Sequence, residues 1–483
     1  MKNLLLILFI TLSLSPAFAG NKIRFYFNKP VDTTVSTGKN AVYLRNCIAD
    51  TLVAYLNRAH YSLDICMYDF EKTLSYNIDT LDTVFAPKIA ASIDSAYTRG
   101  VKIRYIYEAS NANTGLSLID TAHIHTLGSP QGTNYTIMHN KFVIIDAKSP
   151  DHNAPTVWTG CLNWYYEQFN WDYNNVVTIQ DSALANAYTS EFNMMWGDTG
   201  IIPNPATSKF GMFKTDLGNH TFNIDGNLVE LYFSPSDGTD SHIQSTIMTA
   251  DKDLYFGMYT FTVNTDANLI SSKSVAGVYV AGVDDSWSNG YGPYSIFTSG
   301  LGSNFKVYNE APDTIFHNKY MIVDPSDTCS DPLVLTGSHN WTNSANTHND
   351  ENTLIIHSAS AANQYYQYFK ATFNMLGGTL TPPAPSCTFP ALTPISVSIK
   401  DNLRVYPNPS TGDFGLSFYI PSPEYISAEL YSITGKKVGT IFPGAEIQAG
   451  KHEYKYSIDS PGLYFIHFIV GSETFEYKLI IIN

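Results

Sequence analysis

The sequence contains two copies of one pattern, and this internal repeat limits the folds that the chain can adopt. The stretch IMHNKFVIID, residues 137–146, recurs as IFHNKYMIVD, residues 315–324. Upstream of these stretches, IRFYF at 23–27 matches VELYF at 229–233. Such self-similarity indicates a duplicated folding unit. The chain therefore predicts two similar halves that pack side by side.

Each copy has the pattern of strands that alternate with helices. YSLDICMYDF at 61–70 matches KDLYFGMYTF at 252–261, and a helix-like stretch precedes each of them. Gly100 and Gly277 are turn residues between the next helix and the strands GVKIRYIYE and GVYVAGVDD. This alternation predicts an α/β layered fold with a largely parallel central sheet.

The pattern predicts five segments along the chain. The two α/β halves are predicted at 20–215 and 216–380. Residues 1–19 hold one Lys, an apolar run and the triplet AFA, which is typical of a cleaved signal peptide. A Pro-rich linker is predicted at 381–402. Short alternating strands between turn signals such as NPSTGDF predict a small all-β sandwich at 403–483.

Composition excludes several classes of protein. With 44% hydrophobic and 14% aromatic residues, the chain is too apolar to be disordered. The formal net charge of −15 repels polyanions, so binding of nucleic acid would need a local basic groove. Five scattered cysteines do not form a disulfide framework, and His123 and His125 have the pattern of exposed histidines. We therefore expect no metal, no cofactor and, after the leader, no membrane span.

The repeated motif contains the residues that can do chemistry. Both copies have a His, a Lys two residues later and an Asp five residues after that: His139, Lys141 and Asp146, and His317, Lys319 and Asp324. Residues two apart on a strand point to the same face, so the His and the Lys of each copy can meet one ligand. The Asp is seven residues from the His and points to the other face. We expect the Asp to brace the strand from behind.

A second matched set follows, in which each copy has a glycine, two residues, an asparagine and a tryptophan. The polar side chains that it adds beside the His/Lys pairs are Cys161 and Asn163 in the first copy, and Ser338 and Asn340 in the second. Eleven residues after the asparagines come Asn174 and Glu351. The two copies together thus provide histidines, ammonium groups, amides and a carboxylate.

This set of side chains fits attack on a phosphodiester. Negative charge grows on the equatorial oxygens during attack, and Lys and Asn groups that are fixed in advance stabilise it. One imidazole can attack phosphorus, and the other, protonated, can donate to the leaving oxygen. In-line displacement needs the two imidazoles on opposite sides of phosphorus, which a pseudo-twofold pair of repeats provides. Each copy is therefore predicted to supply half of one site, and we expect a monomer.

The paired motifs resemble the HKD motifs, H-x-K-x4-D followed by G-S-x-N, of the phospholipase D superfamily, over about residues 22–375. The resemblance implies a metal-independent phosphodiesterase that works through a covalent phosphohistidine, with His139 as the nucleophile and His317 as the acid. It implies that Glu351 orients a histidine. It also implies a set of phosphate-holding residues: Lys141, Lys319, Asn163, Asn340 and Ser338.

Two positions depart from the family pattern. Cys161 replaces the Ser of the first motif, and a thiol is a weak donor. Asn174 replaces a carboxylate that would hold a histidine in one tautomer. Asp172, two residues earlier, is a candidate substitute. These departures bear on which histidine is the nucleophile.

The end of the chain resembles the C-terminal sorting domain of the type IX secretion system. The resemblance rests on LRVYPNPSTGDFGLSF, with Tyr406-Pro407-Asn408-Pro409, and on PGLYFIHFIVGSETFEYKLIIIN. It implies the type IX machinery as a partner. It also implies that the protein is secreted or held at the cell surface.

The superfamily contains lipid hydrolases, lipid synthases and nucleases, and the fold does not choose among them. An exported phospholipase D that acts on phospholipids is the leading hypothesis. The acidic charge disfavours a polyanion, and the aromatic runs at 163–173 and 284–297 could border a lipid-facing entrance. A secreted metal-independent nuclease, for which nucleic acid is the substrate, and a non-catalytic surface adhesin with a degenerate site are the alternatives.

Overall fold

The computed structural model divides the chain into two compact units, with the division at residues 387 and 388. The first unit is described over residues 22–72, 85–131, 137–151, 154–309, 314–326 and 330–382. The second unit is described over residues 404–406, 408, 410–420, 424–433, 436–448, 450–470 and 473–481. The predicted signal peptide and most of the predicted linker lie outside the described residues.

The first half of the first unit is built around an eight-stranded mixed sheet. Its strands are β1 (Ile23–Phe27), β2 (Val42–Tyr43), β3 (Ser62–Met67), β4 (Lys102–Tyr107), β5 (His125–Gly128), β6 (Lys141–Ile145), β7 (Thr156–Gly160) and β8 (Asn175–Gln180). Its helices are α1 (Ile48–Leu56), α2 (Phe85–Thr98), α3 (Tyr166–Asn170) and α4 (Ser182–Trp196). The strand order is β2-β1-β8-β7-β6-β3-β4-β5.

The second half repeats this architecture. Its strands are β9 (Thr221–Ile224), β10 (Asn227–Ser234), β11 (Asp253–Met258), β12 (Tyr279–Asp285), β13 (Phe305–Tyr308), β14 (Lys319–Val323), β15 (Leu333–Gly337) and β16 (Glu351–His357). Its helices are α5 (Thr239–Thr249), α6 (Asn264–Val275), α7 (Gly292–Gly300), α8 (Asn343–Thr347) and α9 (Ala359–Met375). The order β13-β12-β11-β14-β15-β16-β10-β9 matches the first sheet read backwards, which confirms the duplicated α/β halves.

The expectation of a largely parallel sheet is wrong. In the first half β3, β4 and β5 pair in parallel, and helix α2 supplies the crossover between β3 and β4. Strands β6, β7 and β8 instead pair antiparallel with one another. The connection between β6 and β7 has no helix in its described residues, and a parallel pair would need a crossover of a dozen or more residues.

The two halves share one hydrophobic core, to which helices α4 and α9 contribute. Phe27 of β1 stacks on Tyr368 of α9 with ring centroids 4.5 Å apart. Tyr188 of α4 contacts Phe233 of β10 edge to face at 5.1 Å. The last helix of each half therefore makes an aromatic contact with the sheet of the other half. This packing places the two His/Lys motifs relative to each other.

A buried group of charges ties the connection between the halves to both of them. Lys214 lies in that connection, and its ammonium contacts Glu191 of α4 at 2.5 Å and Asp350 at 2.9 Å. The three side chains are at most 1% exposed. Burial alone would lower the pKa of Lys214, but the two carboxylates raise it above its ordinary value. The cation therefore stays charged and paired.

Changing Lys214 to methionine is expected to lower the free energy of unfolding by about 3–5 kcal/mol, because two carboxylates then stay buried without their cation. The matched control is Lys88→Met, which removes a pair with Asp50 whose side chains are 45% and 52% exposed. That change is expected to cost about 0–1 kcal/mol. Urea unfolding of both variants checks the difference. Equal small losses would contradict the importance of the buried pairing.

The second unit is all-β, as predicted, and consists of two antiparallel sheets around one core. Its strands are β17 (Arg404–Tyr406), β18 (Asp413–Ile420), β19 (Glu424–Ser432), β20 (Lys437–Ile447), β21 (Gly450–Ser457), β22 (Gly462–Val470) and β23 (Glu473–Ile481). Asn408 donates to the Lys478 carbonyl at 2.8 Å and accepts from the Ile480 N–H at 2.9 Å. Pro407 and Pro409 lie outside the described residues.

In the part of the chain that the structure describes, none of the helices is long and apolar enough to cross a bilayer.

Candidate active site

The first His/Lys motif begins in the loop that leads into β6. The backbone N–H of Met138 donates to the Glu108 carboxylate at 2.7 Å, and that of His139 donates to the Asp350 carbonyl at 2.9 Å. Lys141 is the first residue of β6, and its ammonium donates to the His139 carbonyl at 2.7 Å. Since Asp350 belongs to the second half, the first motif is held from both halves.

The second motif repeats these contacts at matched atoms. The backbone N–H of Phe316 donates to the Asp285 carboxylate at 2.7 Å. The Lys319 ammonium donates to the His317 carbonyl at 2.7 Å. Glu108 and Asp285 both lie at the ends of matched strands, β4 and β12, so the duplication extends to the groups that support each histidine loop.

Each histidine is held by a side chain of the other half. Nδ1 of His139 lies 2.8 Å from both carboxylate oxygens of Glu351. Nδ1 of His317 lies 3.0 Å from Oδ1 of Asn174. An imidazole ring that donates a hydrogen bond from Nδ1 keeps Nε2 free to react with a substrate. The two motifs therefore belong to one site between the halves.

The Asn174 amide has a defined orientation. Its Nδ2 donates to the Gln168 carbonyl at 3.0 Å, so Oδ1 is the atom that accepts from His317. Asp172, the candidate substitute, does not take the place of a carboxylate beside His317. Its carboxylate accepts from Gln168 Nε2 at 2.5 Å and from the Ile315 N–H at 2.9 Å. The second histidine thus has a neutral partner.

Ser338 and Cys161 support the partners of the histidines. The Ser338 hydroxyl donates to Oε2 of Glu351 at 2.7 Å. The Cys161 thiol donates to Oδ1 of Asn174 at 3.2 Å. We expected Ser338 to hold phosphate, but the structure directs its proton to Glu351. The Ser-to-Cys departure therefore weakens the hold on Asn174, because a thiol is the weaker donor.

The glycine of each G-x-x-N-W set allows two backbones to approach closely. Gly160 and Gly337 have φ of 146° and 154°. A Cβ atom would lie 2.4 Å from the Asn175 carbonyl oxygen at the first position, and 2.1 Å from that of Asn352 at the second. A side chain at either position would displace the strand that carries the histidine partners.

Asn163 and Asn340, the predicted phosphate-holding amides, each keep a buried Oδ1 atom that has no partner among the described residues. Buried polar atoms without partners are uncommon in folded proteins and call for an explanation. Rotation of either amide by 180° presents its NH₂ group instead, which is a donor for an anion. These two side chains are therefore suited to a ligand.

Asp146 and Asp324 brace their strands, as expected, but from turns beyond the strand ends. They have φ of 57° and 50°, in the left-handed region. The Asp146 carboxylate accepts from the Tyr61 N–H at 2.7 Å, and that of Asp324 accepts from the Lys252 N–H at 2.9 Å. Both carboxylates thus accept hydrogen bonds from backbone N–H groups at the start of a neighbouring strand.

A tyrosine that the sequence analysis missed lines each half of the site. The Tyr68 ring lies 4.7 Å from the His139 ring and 4.5 Å from the Lys141 ammonium. Tyr259 repeats both contacts in the second half, at 5.0 and 4.9 Å. The signal was present in the sequence as the dipeptide Met-Tyr, which occurs in both YSLDICMYDF and KDLYFGMYTF.

The electrostatics favour binding of an anion. Burial lowers the pKa of His139 to about 4 and that of Lys319 to about 8. Burial, together with neighbouring cations, also holds the pKa values of His317 and Lys141 well below their ordinary values. Burial alone would raise the pKa of Glu351, but His139 outweighs it and holds the pKa at about 2. A bound phosphate would relieve the repulsion among these bases.

A bell-shaped dependence of kcat/KM on pH is expected from these values for bis(p-nitrophenyl) phosphate, whose leaving group needs no proton from His317. Activity should rise as pH passes about 4, where His139 loses its proton and becomes a nucleophile. It should fall as pH passes about 8, where Lys319 loses the charge that holds phosphate. Steady-state rates from pH 3 to 10 check the profile.

The matched variant for the alkaline limb is Lys319→Arg, since guanidinium stays charged throughout this range. The alkaline limb should move upward in this variant while the acid limb stays in place. An alkaline limb that is the same in the variant and the wild type would assign that limb to another group.

A cluster of metal-ligating side chains lies outside the paired motifs. Among the described residues, Asp216, His220 and Asp237 have ligand atoms within 4.8 Å of one another. His220 also donates from Nδ1 to the Leu231 carbonyl at 2.9 Å and contacts Asp216 through Nε2 at 3.0 Å. This group is separate from His123 and His125, the histidines from which the sequence predicted no metal.

Comparison with protein families finds two matches along the chain. Residues 52–196 and 243–373, more than half of the chain, match the family described as cardiolipin synthase, PLD-like domain. Residues 404–482 match the secretion system C-terminal sorting domain. The second match indicates that the protein is exported, to the medium or the cell surface.

Curated relatives match a smaller part of the chain. The mitochondrial cardiolipin hydrolase of Xenopus tropicalis is 24% identical over 145 residues, which are 30% of this chain and 59% of the relative. The human mitochondrial cardiolipin hydrolase is 26% identical over 149 residues, which are 30% of this chain and 49% of the relative. The chain thus spans between about half and six-tenths of the length of these two relatives.

A solved structure shows the same fold over both halves. The phosphatidylserine synthase of Haemophilus influenzae superposes with a TM-score of 0.50 and 12% identity. The match covers 75% of this chain and 87% of the other.

Proposed function

We propose that this chain, which belongs to the phospholipase D-like family, is an exported phosphodiesterase that hydrolyses phospholipids through a phosphohistidine. The observation that carries the proposal is the crossed pairing of the histidines. Glu351 of the second half holds His139 of the first, and Asn174 of the first half holds His317 of the second. This pairing gives one site with two imidazoles, as in-line displacement at phosphorus needs.

In the proposed reaction, Nε2 of His139 attacks phosphorus and forms a phosphorus–nitrogen bond. The bond from phosphorus to the leaving alcohol oxygen breaks, and that oxygen takes a proton from Nε2 of His317. Water then gives a proton back to His317 and attacks phosphorus, which releases His139. The phosphoimidazolium carries a positive charge, and the Glu351 carboxylate next to Nδ1 neutralises it. For this reason we assign the nucleophile to His139.

In the proposed mechanism, the polar groups around the histidines stabilise the charge that develops on the phosphate. Lys141 and Lys319 would stabilise the charge on the equatorial oxygens, together with the amides of Asn163 and Asn340. The ammonium groups are already held by the carbonyls of their own motifs and by Tyr68 and Tyr259. Such prior fixing means that little reorganisation accompanies the reaction.

Two observations favour a lipid as the substrate. The curated relatives carry the name of a hydrolase of cardiolipin, a phospholipid. The net charge of −15 opposes the approach of a nucleic acid, whose binding is driven by neutralisation of its phosphates.

The test uses the purified full-length protein in EDTA with phosphatidylcholine vesicles, bis(p-nitrophenyl) phosphate and plasmid DNA as separate substrates. We expect turnover of the vesicles and of the small diester. Cleavage of DNA alone would establish the nuclease instead. Turnover of none of the three would favour the adhesin over the enzyme, and dependence on added metal would overturn the proposed mechanism.

A further inference from the structure

Two short 3₁₀ turns expose apolar side chains to solvent. The first turn is Gly211–Phe213, in the connection between the halves, and the second is Ser286–Ser288, directly after β12. Four side chains in or next to these turns are between 48% and 65% exposed: Met212, Phe213, Trp287 and Tyr291. We call the two turns and Tyr291 the rim turns. Single exposed apolar residues need no explanation, but a Trp with this exposure beside a candidate active site does.

The first rim turn is bonded to the residue that holds the His139 loop. The Gly211 N–H donates to Oδ1 of Asp350 at 2.8 Å. The carbonyl of the same Asp350 accepts from the His139 N–H at 2.9 Å. Met212 and Phe213 therefore lie one and two residues away from a hydrogen-bonded connection to the first catalytic loop.

The second rim turn is bonded to the loop of His317 in the same way. The Trp287 N–H donates to Oδ1 of Asp285 at 2.8 Å, and Oδ2 of Asp285 accepts from the Phe316 N–H at 2.7 Å. The Ser288 hydroxyl also donates to the Tyr259 carbonyl at 3.2 Å. The exposed apolar groups are thus attached to both sides of the site.

The aromatic run at 284–297 supplies Trp287 and Tyr291 to the rim turns, whereas the run at 163–173 supplies none of their residues. Trp164 and Phe169 of that second run are buried in the core of the first half. The lipid-facing entrance that composition suggested is therefore supported for one of the two runs.

The charges next to the rim turns favour an uncharged partner surface. Residues 210–213 and 286–292 contain no Lys, Arg, Asp or Glu. Lys214, which follows the first turn, is fully buried and paired with carboxylates. Lys209, two residues before the first turn, is exposed, but the net charge of −15 opposes the approach of the chain to an anionic lipid surface. Trp and Tyr suit the boundary between head groups and acyl chains because their rings are apolar with one polar atom.

We propose that the rim turns dock the protein onto the surface of a zwitterionic phospholipid bilayer, so that a lipid phosphate reaches the paired histidines. This inference rests on the proposed function for its purpose, but docking itself does not need catalysis. Insertion of the rim side chains between head groups removes their apolar surface from water. A zwitterionic head group, such as that of phosphatidylcholine, fits this charge balance.

The test compares two double variants of the full chain, Met212→Ser with Phe213→Ser and Trp287→Ser with Tyr291→Ser. Each is expected to lower binding to phosphatidylcholine vesicles about tenfold or more in flotation, with a similar loss of turnover on vesicles. Turnover of soluble bis(p-nitrophenyl) phosphate should stay unchanged, which also shows that the variants fold. Vesicle binding that is unchanged in both variants would overturn the proposal.

The matched controls are Tyr61→Ser and Val275→Ser. Both residues are exposed, but they precede β3 and β12 at the strand ends that lie away from the histidines. They should leave vesicle binding unchanged, and an equal loss would show that binding does not depend on the rim. Tighter binding to anionic than to phosphatidylcholine vesicles would also overturn the choice of a zwitterionic surface.

The variant His139→Ala separates this inference from the proposed function. It should bind phosphatidylcholine vesicles as the wild type does. If the wild type turns over no substrate while binding still depends on the rim turns, the docking surface stands and the enzymatic proposal fails.

Discussion

Changing His139 to alanine is expected to lower kcat on every phosphodiester by about 10⁴-fold or more, because no other group can form the covalent intermediate. The variant should yield no phosphoenzyme after rapid acid-free denaturation with a labelled substrate. His139 is not one of the residues of the hydrophobic cores, so its loss leaves the apolar packing of both halves intact. Retention of near-normal turnover would refute its role.

Changing His317 to alanine should have a different signature. A p-nitrophenolate needs no proton to leave, so phosphoenzyme should still form from bis(p-nitrophenyl) phosphate. It should then accumulate, because the base that activates water is missing. On phosphatidylcholine, whose leaving group is an alcohol, kcat should fall about 10²- to 10⁴-fold. If the His139 variant accumulates the intermediate instead, the two roles are exchanged.

The control for both histidines is His123→Ala. His123 is an exposed histidine paired with Asp120, and its ring is not part of the paired motifs. Its removal should leave kcat and phosphoenzyme formation unchanged. A loss of activity in this control would mean that histidine removal acts through stability.

Changing Glu351 to glutamine is expected to lower kcat about 10³- to 10⁴-fold, the scale seen when a carboxylate that orients a catalytic histidine becomes an amide. The carboxylate has two functions in the structure. It accepts from Nδ1 of His139 and from the Ser338 hydroxyl. Glutamine keeps an acceptor but removes the negative charge that would neutralise the phosphoimidazolium. Rates of phosphoenzyme formation in single turnovers check this prediction.

The matched variant is Asn174→Asp, which replaces the neutral amide beside His317 with a carboxylate. Since the nucleophile is assigned to the other histidine, we expect kcat to change less than tenfold. A collapse of activity in Asn174→Asp with a mild effect in Glu351→Gln would move the nucleophile to His317. One substitution removes the carboxylate beside His139 and the other adds a carboxylate beside His317. Together they test which of the two histidines is the nucleophile.

The sequence predicted the parts of this protein whose physical basis is local. The period of two along a strand puts the His and the Lys of H-x-K on one side, and the structure confirms two α/β halves with matched motifs. The largely parallel sheet was a wrong inference from the alternation of elements. Alternation reports which elements exist, whereas strand direction depends on whether a connection is long enough to cross over.

Three features of the site were beyond sequence reasoning because they depend on contacts between residues far apart in the chain. The resemblance implied that Glu351 orients a histidine, but only the structure identifies that histidine as His139, 212 positions away, and pairs Asn174 with His317, 143 positions away. The orientation of the Asn174 amide depends on one backbone carbonyl, that of Gln168. Ser338 is the residue that the family motif has at this position. Its hydroxyl nevertheless donates to Glu351 and not to a phosphate, as the resemblance had implied.

The sequence alone determined that this chain has two copies of a phosphodiester-type motif and a C-terminal sorting domain, because repeats, spacing and turn residues are written in the order of the residues. Only the tertiary structure decided which half holds which histidine and which apolar side chains stay exposed beside them. The shared aromatic core brings the halves together, and only after that packing do a carboxylate and an amide from opposite halves meet the two imidazoles.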